Sequence, residues 1–144
     1  MEQLPEHFAG GICIKDGNIL LIYRINKERS FHQEYFVLPG AIVHEDESIE
    51  EAVKREFNDV SMTVRVGDLF YESAGDESDD KEFYYLCDYI TGSPELSMYS
   101  NEAEIMKQGE QFYTPMWVPL SELEELIVYP ESVKNKILFD LESQ

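Results

Sequence analysis

Two apolar runs near the start of the chain are separated by a short polar turn. The runs, Ile12–Ile14 and Ile19–Tyr23, are rich in aliphatic residues, and Asp16-Gly17 lies between them. An Asp-Gly pair between two such runs is a strong signal for a tight β-hairpin. We therefore predict that the domain opens with a hairpin, followed by a third strand, Tyr35–Leu38, that ends at a Pro-Gly pair.

The apolar spacing changes to that of a helix between residues 48 and 60. Apolar residues there recur at intervals of three, one, four and three, which is one face of an α-helix. Ser48 followed by Glu51 is a capping box that begins such a helix. The predicted buried face comprises Ile49, Ala52, Val53, Phe57 and Val60.

The second half of the chain returns to strand patterns. The pattern predicts two strands, Val64–Tyr71 and Glu82–Ile90, joined by an acidic turn. It also predicts a last strand at Tyr113–Val118. Within it, Pro115 indicates an edge strand or a bulge. Residues Gly92–Gln111 lack periodicity, and a loop of that length in a compact domain is typical of a functional segment.

Two helices are predicted near the end. Ser121 followed by Glu124 is a second capping box, and Pro130 begins a final helix with one apolar stripe. The chain shows no repeat and no linker, so we predict a single α/β domain over residues 1–144.

Composition narrows the possible partners. The 30 Asp and Glu outnumber the 11 Lys and Arg, giving a net charge of −19. Such a field repels nucleic acid and anionic membranes, so we expect neither as a partner. A small anionic substrate remains compatible, because a cation bound by carboxylates reverses the sign of the local field.

Cysteine usage and the N-terminus point to one compartment. Cys13 and Cys87 each lie within an apolar run, as expected of buried thiols in a reducing environment. Residues Met1–His7 lack the basic and apolar regions of a signal peptide, and no apolar run is long enough to span a membrane. The expected location is the cytoplasm.

The segment Leu38–Val60 carries the pattern with chemical content. It reads LPGAIVHEDESIEEAVKREFNDV and resembles the Nudix box, G-x5-E-x7-R-E-U-x-E-E-x-G-U, where U is aliphatic. Glu47, Arg55 and Glu56 fall in register with the first glutamate and the Arg-Glu pair of that motif. With the order of strands and helices, the resemblance to MutT-like Nudix hydrolases extends over about residues 8 to 141.

The resemblance implies a fold and a reaction. The implied fold is a mixed β-sheet sandwiched between α-helices. The implied reaction is hydrolysis of the diphosphate linkage in a nucleoside diphosphate derivative, such as a nucleotide or a nucleotide sugar. It also implies a Mg²⁺ or Mn²⁺ cofactor, since these cations take oxygen ligands. Dimers are common among the proteins it resembles, which leaves both a monomer and a homodimer open.

Site residues follow from the register of the box. The resemblance implies catalytic roles for Glu56, Glu47 and Arg55, and metal ligation by Glu56, Asp59 and the carbonyl of Ala41. Glu56 and Asp59 are three residues apart and therefore share a helix face. Glu47 precedes the helix, and we expect it to hold Arg55 by an ion pair.

Further candidates lie outside the box. Arg24, at the end of the second strand, matches a position where similar proteins place a cation near the substrate phosphate, and a surface arginine is the alternative. Glu102, Glu104 and Glu110 are alternative candidates for a glutamate at the substrate that completes the metal site or acts as base. Aromatic residues on the strands are predicted to be core residues, with a base-stacking platform as the alternative; they are Tyr35, Phe36, Tyr84, Tyr85 and Tyr113.

The box departs from the family pattern at five positions. Val60 replaces a glutamate that normally binds metal, and valine has no oxygen ligand. Ala41 and Met62 replace glycines, Asp59 replaces a glutamate, and Thr63 replaces an aliphatic residue. Three hypotheses follow: a metal-dependent pyrophosphohydrolase, a weak or inactive nucleotide-binding or regulatory module, and a protein whose important surface binds another protein.

Overall fold

The computed structural model describes residues 6–26, 33–74, 81–96, 101–107 and 111–142. None of the helices in these ranges is long and apolar enough to cross a membrane. The strands are β1 Phe8–Lys15, β2 Asn18–Asn26, β3 Gln33–Val37, β4 Gly40–Ile42, β5 Met62–Ala74, β6 Lys81–Gly92, β7 Gln111–Pro119 and β8 Val128–Tyr129. The helices are α1 Ile49–Asp59, α2 Asn101–Met106 and α3 Glu131–Ile137, with a 3₁₀ helix at Leu120–Glu125 and a π-helical turn at Leu138–Glu142.

The strands form one mixed sheet. Its order is β5-β6-β1-β2-β3-β8, with β4 also paired to β1 and β7 paired to β2. The pairs β1–β6 and β3–β8 are parallel, and the other pairs are antiparallel. The predicted α/β class with a mixed sheet is confirmed.

The opening hairpin has the predicted turn. Asp16 and Gly17 both adopt positive φ, 53° and 80°, and Ile14 pairs with Ile19 across the turn. Positive φ at both central residues defines the tight turn whose twist matches that of the strands. The Asp-Gly pair therefore sets the register of β1 and β2.

Helix α1 begins with the predicted capping box. The Ser48 hydroxyl accepts a hydrogen bond from the Glu51 N–H at 3.0 Å, and the Glu51 carboxylate accepts one from the Ser48 N–H at 3.3 Å. Ala52, Val53 and Phe57 are buried on the face that meets the sheet. Both the start of the helix and its buried face agree with the sequence prediction.

The second predicted capping box is wrong. The segment Leu120–Glu125 is a 3₁₀ helix whose N-cap is Pro119, and no side chain caps it. Because Pro119 ends β7 and the helix begins at once, Ser121 lies inside the first turn. A hydroxyl in that position cannot replace the N-cap.

This difference gives a matched pair of stability predictions. We expect Ser48→Ala to lower the free energy of unfolding by about 1 kcal/mol, because one N–H of α1 loses its acceptor. Ser121→Ala should leave the free energy within about 0.5 kcal/mol of the unchanged protein. Urea denaturation of both variants measures the difference, and equal losses would contradict the assigned caps.

Two short elements were not predicted from the sequence. Helix α2 lies within the stretch that was expected to be irregular, and the two-residue strand β8 precedes α3. Six helical residues and two strand residues are too few to show a hydrophobic period. The strand prediction at Pro115 is confirmed: among the described residues, β7 pairs only with β2, as an edge strand does.

The sheet is covered by a hydrophobic core on each face. Alternate residues of β1 belong to different cores: Cys13 packs with the α1 side and Ile12 with the α3 side. Gly11 permits the close approach of α1, because a Cβ there would lie 2.4 Å from a ring carbon of Phe57. The contact between β1 and α1 therefore belongs to the core on the α1 side of the sheet.

Both cysteines are buried free thiols, as predicted. Cys13 and Cys87 pair across the parallel strands β1 and β6. Burial is the main cause that raises the pKa of Cys13 to about 11 and that of Cys87 to about 12. Such thiols stay protonated at neutral pH, so neither is a suitable nucleophile or metal ligand.

Candidate active site

An ion pair joins the loop before α1 to the helix itself. Arg55 Nη2 donates to Glu47 Oε1 at 2.8 Å, and Arg55 Nε donates to Glu47 Oε2 at 3.3 Å. Arg55 Nη2 also donates to the carbonyl of Ile42 at 3.0 Å, and the His44 N–H donates to Glu47 Oε1 at 3.0 Å. The predicted pair is present, and it holds β4, the loop and α1 together.

The same pair alters the acidity of Glu47. Hydrogen bonding to Arg55 is the main cause that lowers the pKa of Glu47 below its ordinary value of 4.5. A carboxyl group with a lowered pKa in the folded state stabilises the fold above its unfolded pKa. That contribution is lost as the pH falls through the lowered value.

We therefore expect the melting temperature to depend on Glu47 in acid. Between about pH 6 and about pH 3, the wild-type Tm should fall more steeply than the Tm of Glu47→Gln, which lacks the titrating group. Glu50→Gln is the control, since Glu50 is exposed and lies 4.0 Å from Lys54. Parallel curves for wild type and Glu47→Gln would show that the pair contributes nothing.

Glu56 occupies an unusual position for a carboxylate. Its side chain is only 4% exposed, and it is the one buried charged side chain among the described residues. Burial of a carboxylate is costly unless hydrogen bonds or a cation compensate for it. Asp59 follows three residues later on the same helix face and is half-buried. The helix therefore presents one buried and one more accessible carboxylate on the same side.

Ala41 fits its position without strain. It lies in β4 opposite Ala9 and does not have positive φ. The Val43 N–H donates to the His7 carbonyl at 2.8 Å, so the alternation of an antiparallel pair makes Ala9 and Ala41 a hydrogen-bonded pair. The Ala41 carbonyl is thus an acceptor in the sheet and keeps a second lone pair for a cation.

The end of α1 explains two of the departures from the box. Val60 is 1% exposed and belongs to the core cluster, so an apolar residue is favoured there. Met62 is buried in β5 with ordinary φ, while Ser61 takes the left-handed conformation with φ 64°. The glycine-like conformation therefore lies one residue before the position that the motif register assigns to it.

The oxygen ligands around α1 match only the smallest set of protein ligands that holds a magnesium ion. The described residues contain no group of three or more His, Cys, Asp or Glu side chains placed to hold a metal. Magnesium keeps several waters and is commonly held by one or two carboxylates together with substrate phosphates. Glu56, Asp59 and the Ala41 carbonyl match this chemistry.

Two of the three candidate glutamates before the last strand lie in a short helix. Glu102 and Glu104 belong to α2, where the structure describes the backbone path. Ile105 and Met106 of α2 pack against the same core cluster as α1. Glu110 lies outside the described residues, so the choice among the three remains a prediction.

A cavity of about 340 Å³ opens beside the box. Gly40, which begins β4 and precedes Ala41, lies in its wall. Arg24 also lines it; its Nη2 donates to the Tyr113 hydroxyl at 3.1 Å, and its guanidinium carbon lies 4.7 Å from the centre of that ring. The lining residues are Phe8, Arg24, Val37, Leu38, Gly40, Glu82, Tyr84, Tyr129 and Pro130.

Several of these residues were not singled out in the sequence. Phe8 and Glu82 come from β1 and β6, which pair with each other, and Tyr129 comes from β8, which pairs with β3. Tyr84 and Tyr113 are buried in the core, as predicted for the strand aromatics. Glu82 carries no sequence signal of its own, because it begins an ordinary strand pattern.

Comparison with solved structures identifies the fold. The chain is similar to a Nudix hydrolase from Nitrosomonas europaea, with a TM-score of 0.67, 15% identity, and coverage of 93% of this chain and 86% of that chain. It is also similar to a MutT Nudix hydrolase from Burkholderia pseudomallei, with a TM-score of 0.63, 20% identity, and coverage of 92% and 96%.

A third similar structure is an ADP-ribose pyrophosphatase from Streptococcus suis, with a TM-score of 0.62, 16% identity, and coverage of 97% of this chain and 92% of that chain. No protein-family model matches the sequence, and no curated protein matches it. At these identities the likeness concerns architecture. The chain has the Nudix fold, a mixed sheet with helices on its faces.

Proposed function

We propose that this protein is a metal-dependent pyrophosphohydrolase that cleaves the diphosphate linkage of a nucleoside diphosphate derivative. The observation that carries the proposal is the buried carboxylate of Glu56 on α1, anchored by the Glu47–Arg55 pair. The Nudix fold supports the proposal. Proteins of similar structure include an ADP-ribose pyrophosphatase and a UDP-X diphosphatase.

Each box residue has a distinct task in this proposal. Glu56, Asp59 and the Ala41 carbonyl would hold Mg²⁺ or Mn²⁺, and the cation would neutralise phosphate charge and increase the acidity of the attacking water. Arg55 is a positioning residue: its bonds to Glu47 and to the Ile42 carbonyl orient the helix that carries Glu56. Glu56 also accepts a proton from the attacking water.

The cavity beside the box supplies the substrate site. Arg24 contributes a positive charge to it in a protein with a net charge of −19, Glu82 contributes a negative charge, and the other described lining residues are mainly apolar or aromatic. Pockets of this size with few polar groups are typical of small-molecule sites. A glutamate among Glu102, Glu104 and Glu110 completes the site in this proposal.

A second function is favoured by one specific observation. Val60 is fully buried in the core, so the position that normally carries a metal-binding glutamate contributes only packing. A module that binds nucleotide without cleaving it fits this feature. The two functions differ in turnover and agree in nucleotide binding.

The experiment for the hydrolase is a substrate panel. The purified chain is incubated with nucleoside triphosphates, nucleotide sugars, ADP-ribose and dinucleoside polyphosphates, with Mg²⁺, with Mn²⁺ or with EDTA. We expect product from at least one class, formed with either metal and absent in EDTA, as measured by chromatography of nucleoside monophosphates. Absence of product from every class, in a folded sample that binds nucleotide, would favour the binding module.

A further inference from the structure

The cavity contains two opposite charges on an otherwise apolar and aromatic surface. Of the nine lining residues in the described part of the chain, Arg24 and Glu82 are charged, while Phe8, Tyr84 and Tyr129 contribute rings. A ligand that matches this arrangement is flat and aromatic. It also carries hydrogen-bond acceptors on one edge and donors on another.

Glu82 is held in place at the rim of the cavity. It pairs with Phe8 across the parallel strands β6 and β1, so both residues lie on the same face. The Ser73 hydroxyl donates to Glu82 Oε2 at 3.2 Å. A carboxylate offers about four acceptor positions, so Glu82 can accept further hydrogen bonds at both oxygens while this bond is kept.

Tyr129 provides an accessible ring in the same cavity. Its side chain is 49% exposed, and its ring contacts that of Tyr35 edge-on with centroids 5.5 Å apart. Tyr35 in turn lies 5.5 Å from the guanidinium carbon of Arg24. An aromatic ring that is fixed on one side and accessible on the other suits stacking with a nucleobase.

The charges discriminate between nucleobases. Guanine places two neighbouring donors, N1–H and the 2-amino group, beside the acceptors O6 and N7. Adenine places an acceptor, N1, next to its 6-amino group, and a carboxylate repels that lone pair. Hypoxanthine has N1–H but lacks the 2-amino group. A carboxylate and a guanidinium in one cavity therefore match guanine better than these alternatives.

We propose that this cavity binds the base of a guanine nucleotide, with Glu82 accepting from N1–H and the 2-amino group, Arg24 donating to the O6 and N7 edge, and Tyr129 stacking on the ring. The assignment deepens the proposed function and rests on it, because it takes the cavity as the site of the nucleoside part of the substrate. Glu82 is the residue that determines specificity.

The test measures binding rather than cleavage. The full chain is titrated calorimetrically in EDTA with GMP, IMP and AMP, so that hydrolysis and metal binding play no part. IMP lacks one of the hydrogen bonds to the charged Glu82, so we expect it to bind about tenfold or more weaker than GMP. AMP should bind at least as weakly as IMP. Tyr129→Ala should lower the affinity for all three ligands by a similar factor, about tenfold, because an aromatic ring stacks on any base.

Glu82→Gln and Glu72→Gln form a matched pair. Both remove one negative charge, from neighbouring strands, but Glu72 does not line the cavity and lies 3.6 Å from Lys81. We expect Glu82→Gln to abolish the preference for GMP over IMP and Glu72→Gln to retain it. Equal affinities for the three ligands in wild type, a preference that survives in Glu82→Gln, or absence of binding would each overturn the proposal.

The outcome is separable from that of the hydrolase experiment. Metal-dependent turnover without a guanine preference would overturn the base assignment and leave the proposed hydrolase intact. Preferential binding of GMP that depends on Glu82, without turnover of any guanosine diphosphate derivative, would support the base assignment and contradict the hydrolase.

Discussion

Glu56→Gln should reduce kcat by about a thousandfold, which is within the range for loss of a general base. The substitution preserves the volume of a side chain that is 4% exposed and removes its negative charge. In the proposed site, that charge both holds the cation and accepts a proton from water. Initial rates of nucleoside monophosphate release, with Mg²⁺ at a saturating substrate concentration, measure the effect.

The control for this prediction is Glu50→Gln. Glu50 lies on the exposed face of the same helix, six residues before Glu56, and its Oε1 is 4.0 Å from Lys54 Nζ. We expect its rate to match that of wild type. A Glu56→Gln protein that melts like wild type and retains the wild-type rate would remove Glu56 from the catalytic site.

Phe57→Ala should destabilise the fold more than the loss of the Ser48 cap. The ring is 0% exposed and contacts β1 so closely that a Cβ on Gly11 would lie 2.4 Å from it. Removing a fully buried aromatic ring typically lowers the free energy of unfolding by about 3 to 5 kcal/mol. The loss combines the hydrophobic transfer free energy of the ring with the cost of the cavity that it leaves. Urea denaturation, monitored by circular dichroism, measures the loss.

Phe139→Ala provides the same chemical change in a different environment. Phe139 is 80% exposed in the π-helical turn after α3, so its removal should alter the free energy by no more than about 0.5 kcal/mol. Similar losses of stability in the two variants would contradict the packing of Phe57 in the core on the α1 side of the sheet.

Local features of the fold were predictable because each depends on a few adjacent residues. The Asp16-Gly17 turn needs positive φ at two positions, and the α1 capping box needs only Ser48 and Glu51. Both were identified from sequence and found in the structure. The wrong prediction at Ser121 has the same origin: the local pattern is present, but the helix has Pro119 as its N-cap and begins two residues too early for a serine cap.

The candidate site also has a local part that the sequence predicts and a non-local part that it does not predict. The Glu47–Arg55 pair spans eight residues, and the spacing in the motif was enough to predict it. The cavity depends on Phe8 meeting Glu82 through the parallel pairing of β1 and β6, and on Tyr129 in a two-residue strand. Contacts between residues so far apart in the chain produce no hydrophobic period in the sequence. Glu82 and Tyr129 therefore could be assigned to the cavity only from the structure.

Val60 shows why a motif alone does not decide activity. Its replacement of glutamate was visible in the sequence, and the structure adds that the side chain is buried in the core beside Val53 and Phe57. A carboxylate there would carry a large desolvation cost. The remaining donors, Glu56, Asp59 and the Ala41 carbonyl, must therefore be sufficient if the protein is a hydrolase.

The most direct test counts the substrate molecules that each protein molecule cleaves. The chain is mixed with Mg²⁺ and an excess of each nucleoside diphosphate derivative that it binds, and chromatography then quantifies the products per mole of protein. The proposed hydrolase predicts many turnovers of at least one derivative in wild type and essentially none in Glu56→Gln. Bound nucleotide that is recovered intact in every case would contradict hydrolysis and identify a nucleotide-binding module.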